Sequence, residues 1–501
     1  MMRNTRRGLS FPTIWNIAVA LSIFSFLLTM TAVTVADPDL WGHVRFGLDI
    51  FENRTIPQVD EYSYVTGDHR WINHEWLAEL ILAVAWSLGG SPALIAVKTG
   101  VLLLTFLIVY RHLRMMRVAP LRAAILIILL FSVLMPFLVA VRPYIFTALL
   151  FTLLLHLIVR AESGRYRSMW AAPFIMAVWA NLHGGFLAGL AVLLLWSGMH
   201  SLLNRHAVTK LLPPILLSLL ATLVNPYHVE LLIFLLRTAT VARPEITDWQ
   251  PLEWNSLLGI LYLSLLSLGF IALAVSHQRR KLDLLFILMI IAAMPFIALR
   301  HILLSAAGII MLSGNHIDDL LARFAGPQDL KPKIAPWSLF LPVSISISLI
   351  VWQARSFTSI TLIEDFYPVA AVKFLEQSGV QGNLAVHFPW GEYAIWHLQP
   401  KIKVAIDGRR ETVYPEEVYR KYLQFQYGRG EWDAFLKDYP TDMVLVHKGY
   451  RIYELMSSNR EWEPVFEDSI SSLFVKNETP TQRLLQALPT AVSIGEDQIF
   501  P

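Results

Sequence analysis

The sequence predicts a polytopic α-helical membrane bundle of about 11 spans with a C-terminal soluble α/β domain on the outer side. Three observations carry that prediction. Hydrophobic residues make up 55% of the 501 and charged residues only 16%, with a mean hydropathy of +0.51, far from the soluble globular norm. Long uncharged stretches recur from the N-terminus to about residue 355. Beyond that point short helical and β-rich runs alternate instead. A formal net charge of +3, from 41 basic and 38 acidic residues, is too small to point to nucleic acid. With no cysteine in the chain, disulfides, thiolate catalysis and cysteine metal sites are excluded.

Arg3, Arg6 and Arg7 precede an uncharged run over 9–36. Thr34-Val35-Ala36 would pass as a cleavage site, but the run is longer than a signal-peptide core of roughly 7–15 residues. Residues 1–36 therefore read as an uncleaved first span with a cytoplasmic N-terminus. Further spans fall near 92–110, 120–140, 143–160, 168–183, 185–203, 211–226, 255–275, 283–299, 301–314 and 336–354. Orienting them by the cytoplasmic bias of Lys and Arg puts five basic loops on one side. These hold Arg111, Arg114, Arg117 and Arg122; Arg160, Arg165 and Arg167; Arg205 and Lys210; Arg279, Arg280 and Lys281; Lys331 and Lys333. The agreement requires that 74–90 not cross. That segment reads as an amphipathic helix at the outer interface, so 37–91 form one long outer loop and 92–355 the transmembrane bundle. In the domain at 356–501, the pattern predicts helices over Ala370–Gln377 and Glu416–Gln426 and strands over Leu384–His387, Val404–Ile406 and Met443–Val446.

The polar residues at the outer end of the bundle form a consistent set. The first loop supplies Asp37, Asp39, His43, Arg45, His74 and Glu75; later turns supply Arg142, Asn181, His183, Arg300 and His301; Lys98 lies about two turns inside the second span. Carboxylates ringed by cations and histidines suit a reaction in which a base activates an acceptor while cations hold a phosphate leaving group. Each residue also has a structural role open to it. Asp37 and Asp39 can cap an interfacial helix, Arg142, Arg300 and Lys98 can snorkel, and His183 can close a glycine turn. Asp407, Arg409 and Arg410 end a strand, where a buried Asp–Arg pair fixing a loop competes with a ligand contact.

With those residues in view, the chain resembles the GT-C superfamily of polytopic glycosyltransferases that use polyprenyl-phosphate-linked sugars. The likeness rests on Asp37 and Asp39 after the first span, the long first outer loop with Trp76-Leu77-Ala78-Glu79, and the outer C-terminal domain. Within that domain, Phe388-Pro389-Trp390-Gly391-Glu392-Tyr393 is similar to the Trp-Trp-Asp-Tyr-Gly sequence of oligosaccharyltransferases, without the full acceptor-recognition sequence. Asp-Pro-Asp-Leu-Trp, Arg-Pro, Asn-Leu-His-Gly-Gly and Ile406-Asp407-Gly408-Arg409 match an uncharacterised bacterial GT-C-like group. The resemblance implies a catalytic carboxylate at Asp37 or Asp39, and substrate contacts among His43, Arg45, Glu75, Lys98, Arg142, His183, Arg300 and His301. It implies no certain cofactor. Metal-dependent members add an acidic motif in the second outer loop, which here is only Val141-Arg142-Pro143, and this argues against a divalent metal.

The expectation is an integral glycosyltransferase of the bacterial inner membrane, moving a sugar from a polyprenyl-phosphate donor to an extracytoplasmic glycan, lipid or protein acceptor. The alternatives are a transporter or flippase for a lipid-linked or polar substrate, and a non-catalytic scaffold in envelope polysaccharide synthesis. A transporter would be expected to carry internal repeats and charged or broken helices near the midplane; clean spans with charge gathered at one end favour surface chemistry.

Overall fold

Helices dominate the computed structural model, which describes residues 11–67, 69–239, 241, 243, 245–325, 340–352, 354–487 and 499–501. Arg3, Arg6, Arg7, Lys331 and Lys333 lie outside the described residues. In the first half of the chain the helices are α1 (Phe11–Ala32), α2 (Pro38–Asn53), α3 (Trp76–Met115), α4 (Pro120–Leu138), α5 (Tyr144–Glu162) and α6 (Ala172–Leu182). They continue with α7 (Phe186–Leu203), α8 (Val208–Ala221), α9 (Val229–Thr238), α10 (Leu257–Val275), α11 (Leu282–Ala293), α12 (Ile302–Ala325) and α13 (Phe340–Trp352). By length and composition, α3, α4, α5, α7 and α10 are able to cross a membrane, and shorter apolar helices cover Ala20–Ala32, Leu282–Phe296 and Val343–Trp352.

The long first loop is largely helical. Asp37 is extended (φ −85°, ψ 166°), Pro38 pre-sets the first helical turn, and α2 runs to Arg54 in a left-handed C-cap (φ 55°). Under the label α3 two helices meet at a kink, where Gly89 and Gly90 both leave helical geometry. Gly90, at φ 57° and ψ −145°, takes a conformation that side-chain-bearing residues avoid, so the chain changes direction there without losing its helical neighbours. Gly47 lets α2 approach α3 closely, since a Cβ there would sit 2.1 Å from the Glu79 carbonyl oxygen.

The C-terminal region carries a five-stranded mixed sheet. Two-residue strands β1 (Val35–Ala36) and β2 (Thr361–Leu362) pair in parallel. Then β3 (Gly382–Val386), β4 (Ile402–Val404), β5 (Met443–His447), β6 (Trp462–Glu467) and β7 (Ser471–Lys476) build the larger sheet in the order β4-β3-β5-β7-β6. The first three strands are parallel and the β6–β7 hairpin joins antiparallel. Helices Val369–Ser378 and Glu416–Gln426 lie where the pattern predicts them. The hairpin was not predicted, because Trp462–Glu467 breaks its apolar alternation with Glu463 and Pro464.

Two apolar cores result. One fills the helical bundle; the other combines α2 and the first loop with the C-terminal sheet. Trp41, 1% exposed, packs against Tyr367, Tyr393, Trp396, His397 and Phe500. Tyr62 and Ser63 extend the sheet, with Val404 N–H donating to the Tyr62 carbonyl (3.2 Å) and Tyr64 N–H to that of Val404 (3.2 Å). The first loop thus belongs structurally to the C-terminal region.

Candidate active site

Asp37 is held from three sides. Val35 N–H donates to the Val139 carbonyl (3.0 Å), β2 flanks it, and the Tyr367 hydroxyl donates to the Ala36 carbonyl (2.9 Å). The turn between α4 and α5 brings up Arg142, whose Nε donates to Asp37 Oδ2 and whose Nη1 lies 2.9 Å from Asp39 Oδ2. Asp248 approaches the same nitrogen at 3.8 Å. One guanidinium therefore serves two carboxylates from one helix N-terminus and borders a third. Asp37 Oδ1 is buried with no hydrogen-bond partner among the described residues. Burial pushes the Asp37 carboxyl above its ordinary range, with Asp39 adding to the shift and Arg142 opposing it.

A second group of residues adjoins this one. His43, two turns into α2, points Nδ1 at Glu79 Oε1 (3.5 Å) and Glu75 Oε2 (4.0 Å). Burial works against its charge, but bonding to Glu79 and the field of Glu75 outweigh it and push the imidazole up to about 9. Asn73 donates to the other Glu79 oxygen (2.5 Å). His74 and His183 flank Glu75 Oε1 at 3.6 and 3.5 Å. His183 does both jobs open to it: Nδ1 accepts from Gly185 N–H (2.9 Å) to close the turn, while Nε2 faces Glu75 and Arg300. Burial, against the pull of Glu75, pushes His183 down to about 3, so it is neutral. Arg300 lies with its guanidinium carbon 4.4 Å from the Trp249 ring centroid, and Arg243 stacks on the same indole at 3.5 Å. Among the described residues Arg300 makes no ion pair within 4 Å.

The fold brings together Asp37, Asp39, His43, Glu75, Arg142, His183 and Arg300, and three other candidates lie elsewhere. Arg45 pairs along its own helix with Asp49 (2.9 Å). Lys98 is fully buried and donates to the carbonyls of Val33 (2.7 Å) and Leu138 (2.9 Å), tying the ends of α1 and α4 beneath the site. His301 shares the short turn Leu299–His301 with Arg300, and among the described residues no hydrogen bond joins it to the cluster. Asn181 accepts from the Trp76 indole N–H (2.9 Å) and donates to two carbonyls, so it is structural. Arg409 forks onto Asp407 (2.8 and 2.6 Å), reaches Asp60 (2.8 Å) and sits against the rings of Phe46, Tyr62 and Trp71: it is a buried clamp between loop and sheet.

Sequence reasoning overlooked Glu79, Asp248 and Trp249. The spacing of Glu75 and Glu79, one turn apart on a helix, was a readable signal; Asp248 and Trp249 lie in an irregular connection with none. His43 Nδ1 and the carboxylates of Glu75 and Glu79 converge closely enough to hold a divalent cation, and imidazole with carboxylates suits several such ions. A metal would have to displace the proton that the carboxylates stabilise on His43.

No family model matches the chain, and no curated protein matches it in sequence. Solved structures do. The archaeal oligosaccharyltransferase AglB from Archaeoglobus fulgidus superposes with a TM-score of 0.58 at 11% identity, over 88% of this chain and 70% of that one. ArnT from Cupriavidus metallidurans gives a TM-score of 0.54 at 12% identity, over 91% of this chain and 97% of the other. The chain thus has the fold of the GT-C superfamily of membrane glycosyltransferases.

Proposed function

We propose that this protein is an integral membrane glycosyltransferase that takes a sugar from a polyprenyl-phosphate-linked donor. The observation that carries the reading is a buried carboxylate oxygen that lacks a hydrogen-bond partner among the described residues, Asp37 Oδ1, on a carboxylate paired with the Arg142 guanidinium. In a GT-C fold such an atom suits an acceptor hydroxyl. The AglB complex contains a dolichol-phosphate and an inhibitory peptide, and the ArnT complex undecaprenyl phosphate; the same donor class is proposed here.

The chemistry is a single displacement. The acceptor oxygen attacks the anomeric carbon, the bond from that carbon to the phosphate oxygen breaks, polyprenyl phosphate leaves, and the acceptor proton passes to Asp37 or Asp39. The anomeric configuration inverts. Arg142 is already committed to the aspartates and fixes their geometry. Arg300 has no carboxylate within ion-pair distance among the described residues, which makes it the better holder of the phosphate. Neutral His183 orients Glu75 beside it. In this reading the site opens to the extracytoplasmic side of the bacterial inner membrane, with the N-terminus in the cytoplasm, 92–355 as the bundle, and 356–501 as an outer soluble domain facing a glycan, lipid or protein acceptor. No nucleic acid is involved.

Asp37→Asn and Asp39→Asn, made separately in the full-length protein, test this. At least one should abolish transfer from labelled undecaprenyl-phosphate sugars to acceptors in membrane extract. Undiminished transfer in both variants would overturn the proposal, as would labelling that finds 37–45 facing the cytoplasm.

A further inference from the structure

Glu392 opens the helix Gly391–Leu398 of the C-terminal region and is 5% exposed. Its Oε2 accepts from Gly42 N–H at 3.1 Å, on the helix that begins after Asp37. Three glycines from three segments leave room for this arrangement. A Cβ at Gly42 would lie 2.2 Å from Glu392 Oε2, one at Gly408 would lie 2.6 Å from Oε1, and one at Gly391 would strike the Ile406 carbonyl at 2.3 Å. Asp39 Oδ1 lies 3.1 Å from the same point above Gly408. Glu392 Oε1 and Asp39 Oδ1 therefore share one notch.

Charge counting fixes the protonation of that notch. Glu392 faces Asp37 and Asp39 from α2, and Asp407 and Arg409 from the loop after β4. Both nearby guanidiniums are engaged, Arg142 by Asp37 and Asp39 and Arg409 by Asp407 and Asp60. Another ionised carboxyl would be a buried charge without a partner. Burial, reinforced by Asp39 and Asp407, holds Glu392 well above the carboxylate range. Because Oε2 accepts from Gly42 N–H, a proton on Glu392 would sit on Oε1, the oxygen in the notch above Gly408 that Asp39 Oδ1 also lines.

We propose that Glu392 is a positioning residue of the transfer site: a neutral carboxylic acid, supplied by the C-terminal region, whose Oε1–H braces Asp39 and so holds the Asp37–Asp39–Arg142 arrangement. The proposal rests on the transferase reading. It makes the sheet-bearing region part of the site and gives Gly42 and Gly408 a reason to be glycine.

The test compares Glu392→Gln, Glu392→Ala, Asp37→Asn and Asp39→Asn in full-length purified protein, using labelled undecaprenyl-phosphate pentoses and hexoses with membrane extract. A glutamine amide accepts from Gly42 N–H and donates toward Asp39. Glu392→Ala should lower kcat by ~10–100-fold at unchanged donor KM, and Glu392→Gln should recover most of that loss. Wild-type transfer should fall at alkaline pH as Glu392 ionises, and Glu392→Gln should lack that fall. Infrared spectra at neutral pH should show a protonated-carboxyl band that Glu392→Gln removes. A glutamine variant as inactive as the alanine one, or an unchanged band, overturns the role of Glu392. Transfer surviving in both Asp37→Asn and Asp39→Asn overturns the transferase reading instead. If no donor supports transfer, the infrared band alone decides on Glu392.

Discussion

The two ends of α5 carry nearly the same residue types and treat them oppositely. At its start, Arg142 meets Asp37 and Asp39, with Glu75, His43 and Arg300 nearby. About 27 Å away at its far end, Glu162 meets His200, Asp283 and Lys281. In the far cluster every group is used. Glu162 Oε1 accepts from the Trp196 indole N–H (2.7 Å), and Lys281 lies 3.2 Å from Oε2. His200 Nδ1 lies 2.7 Å from Asp283 Oδ2, while Leu284 N–H donates to Oδ1 (2.9 Å). In the near cluster, among the described residues, Asp37 keeps an oxygen without a hydrogen-bond partner and Arg300 lacks a carboxylate within ion-pair distance. Polar groups that satisfy one another stabilise a fold. Buried polar groups left unsatisfied are candidates for contact with a substrate.

Substitutions should separate the two ends. The largest effect is expected from Asp37→Asn, a loss of ~10²–10³-fold in transfer with unchanged melting temperature, measured on purified protein in detergent. Arg300→Ala should raise the donor KM by ~10–100-fold, and Arg300→Lys should restore part of it, because an ammonium still supplies charge without the planar fork. At the far end, His200→Ala should cost about 2–4 kcal/mol of stability while leaving transfer per folded molecule unchanged, since it strips a partner from two buried carboxylates. A loss of transfer without loss of stability there would erase the distinction.

The smallest effect concerns pH. His43 titrates near 9 in the folded protein against an ordinary 6.5. A raised folded value means its stabilisation is complete below about 6.5 and fades as pH rises through about 9, at most about 3 kcal/mol. Melting temperature should decline over that window in wild type and stay flatter in His43→Gln.

How much was legible beforehand follows from what each residue does. Asp37, Asp39, Arg142 and Arg300 stood out because charge at the edge of an apolar stretch has few uses, and the fold gathers them. Arg45 and Lys98 looked equivalent along the chain, yet one pairs within its own helix and the other binds two carbonyls, because local partners one turn away or across a helix end carry no mark in composition. Glu392, 350 residues from Gly42 in sequence, and Asp248 and Trp249, in a connection far from α2, reach the cluster only through tertiary approach. At Gly89-Gly90, a pair that ordinarily ends a helix, both residues leave helical geometry and split α3 in two.

The pairing of Val35–Ala36 with Thr361–Leu362 imposes an order of assembly. The strand that fixes the backbone before the aspartates follows them by more than three hundred residues. Until Thr361–Leu362 has been made, the acidic turn lacks the strand that flanks it in the folded protein.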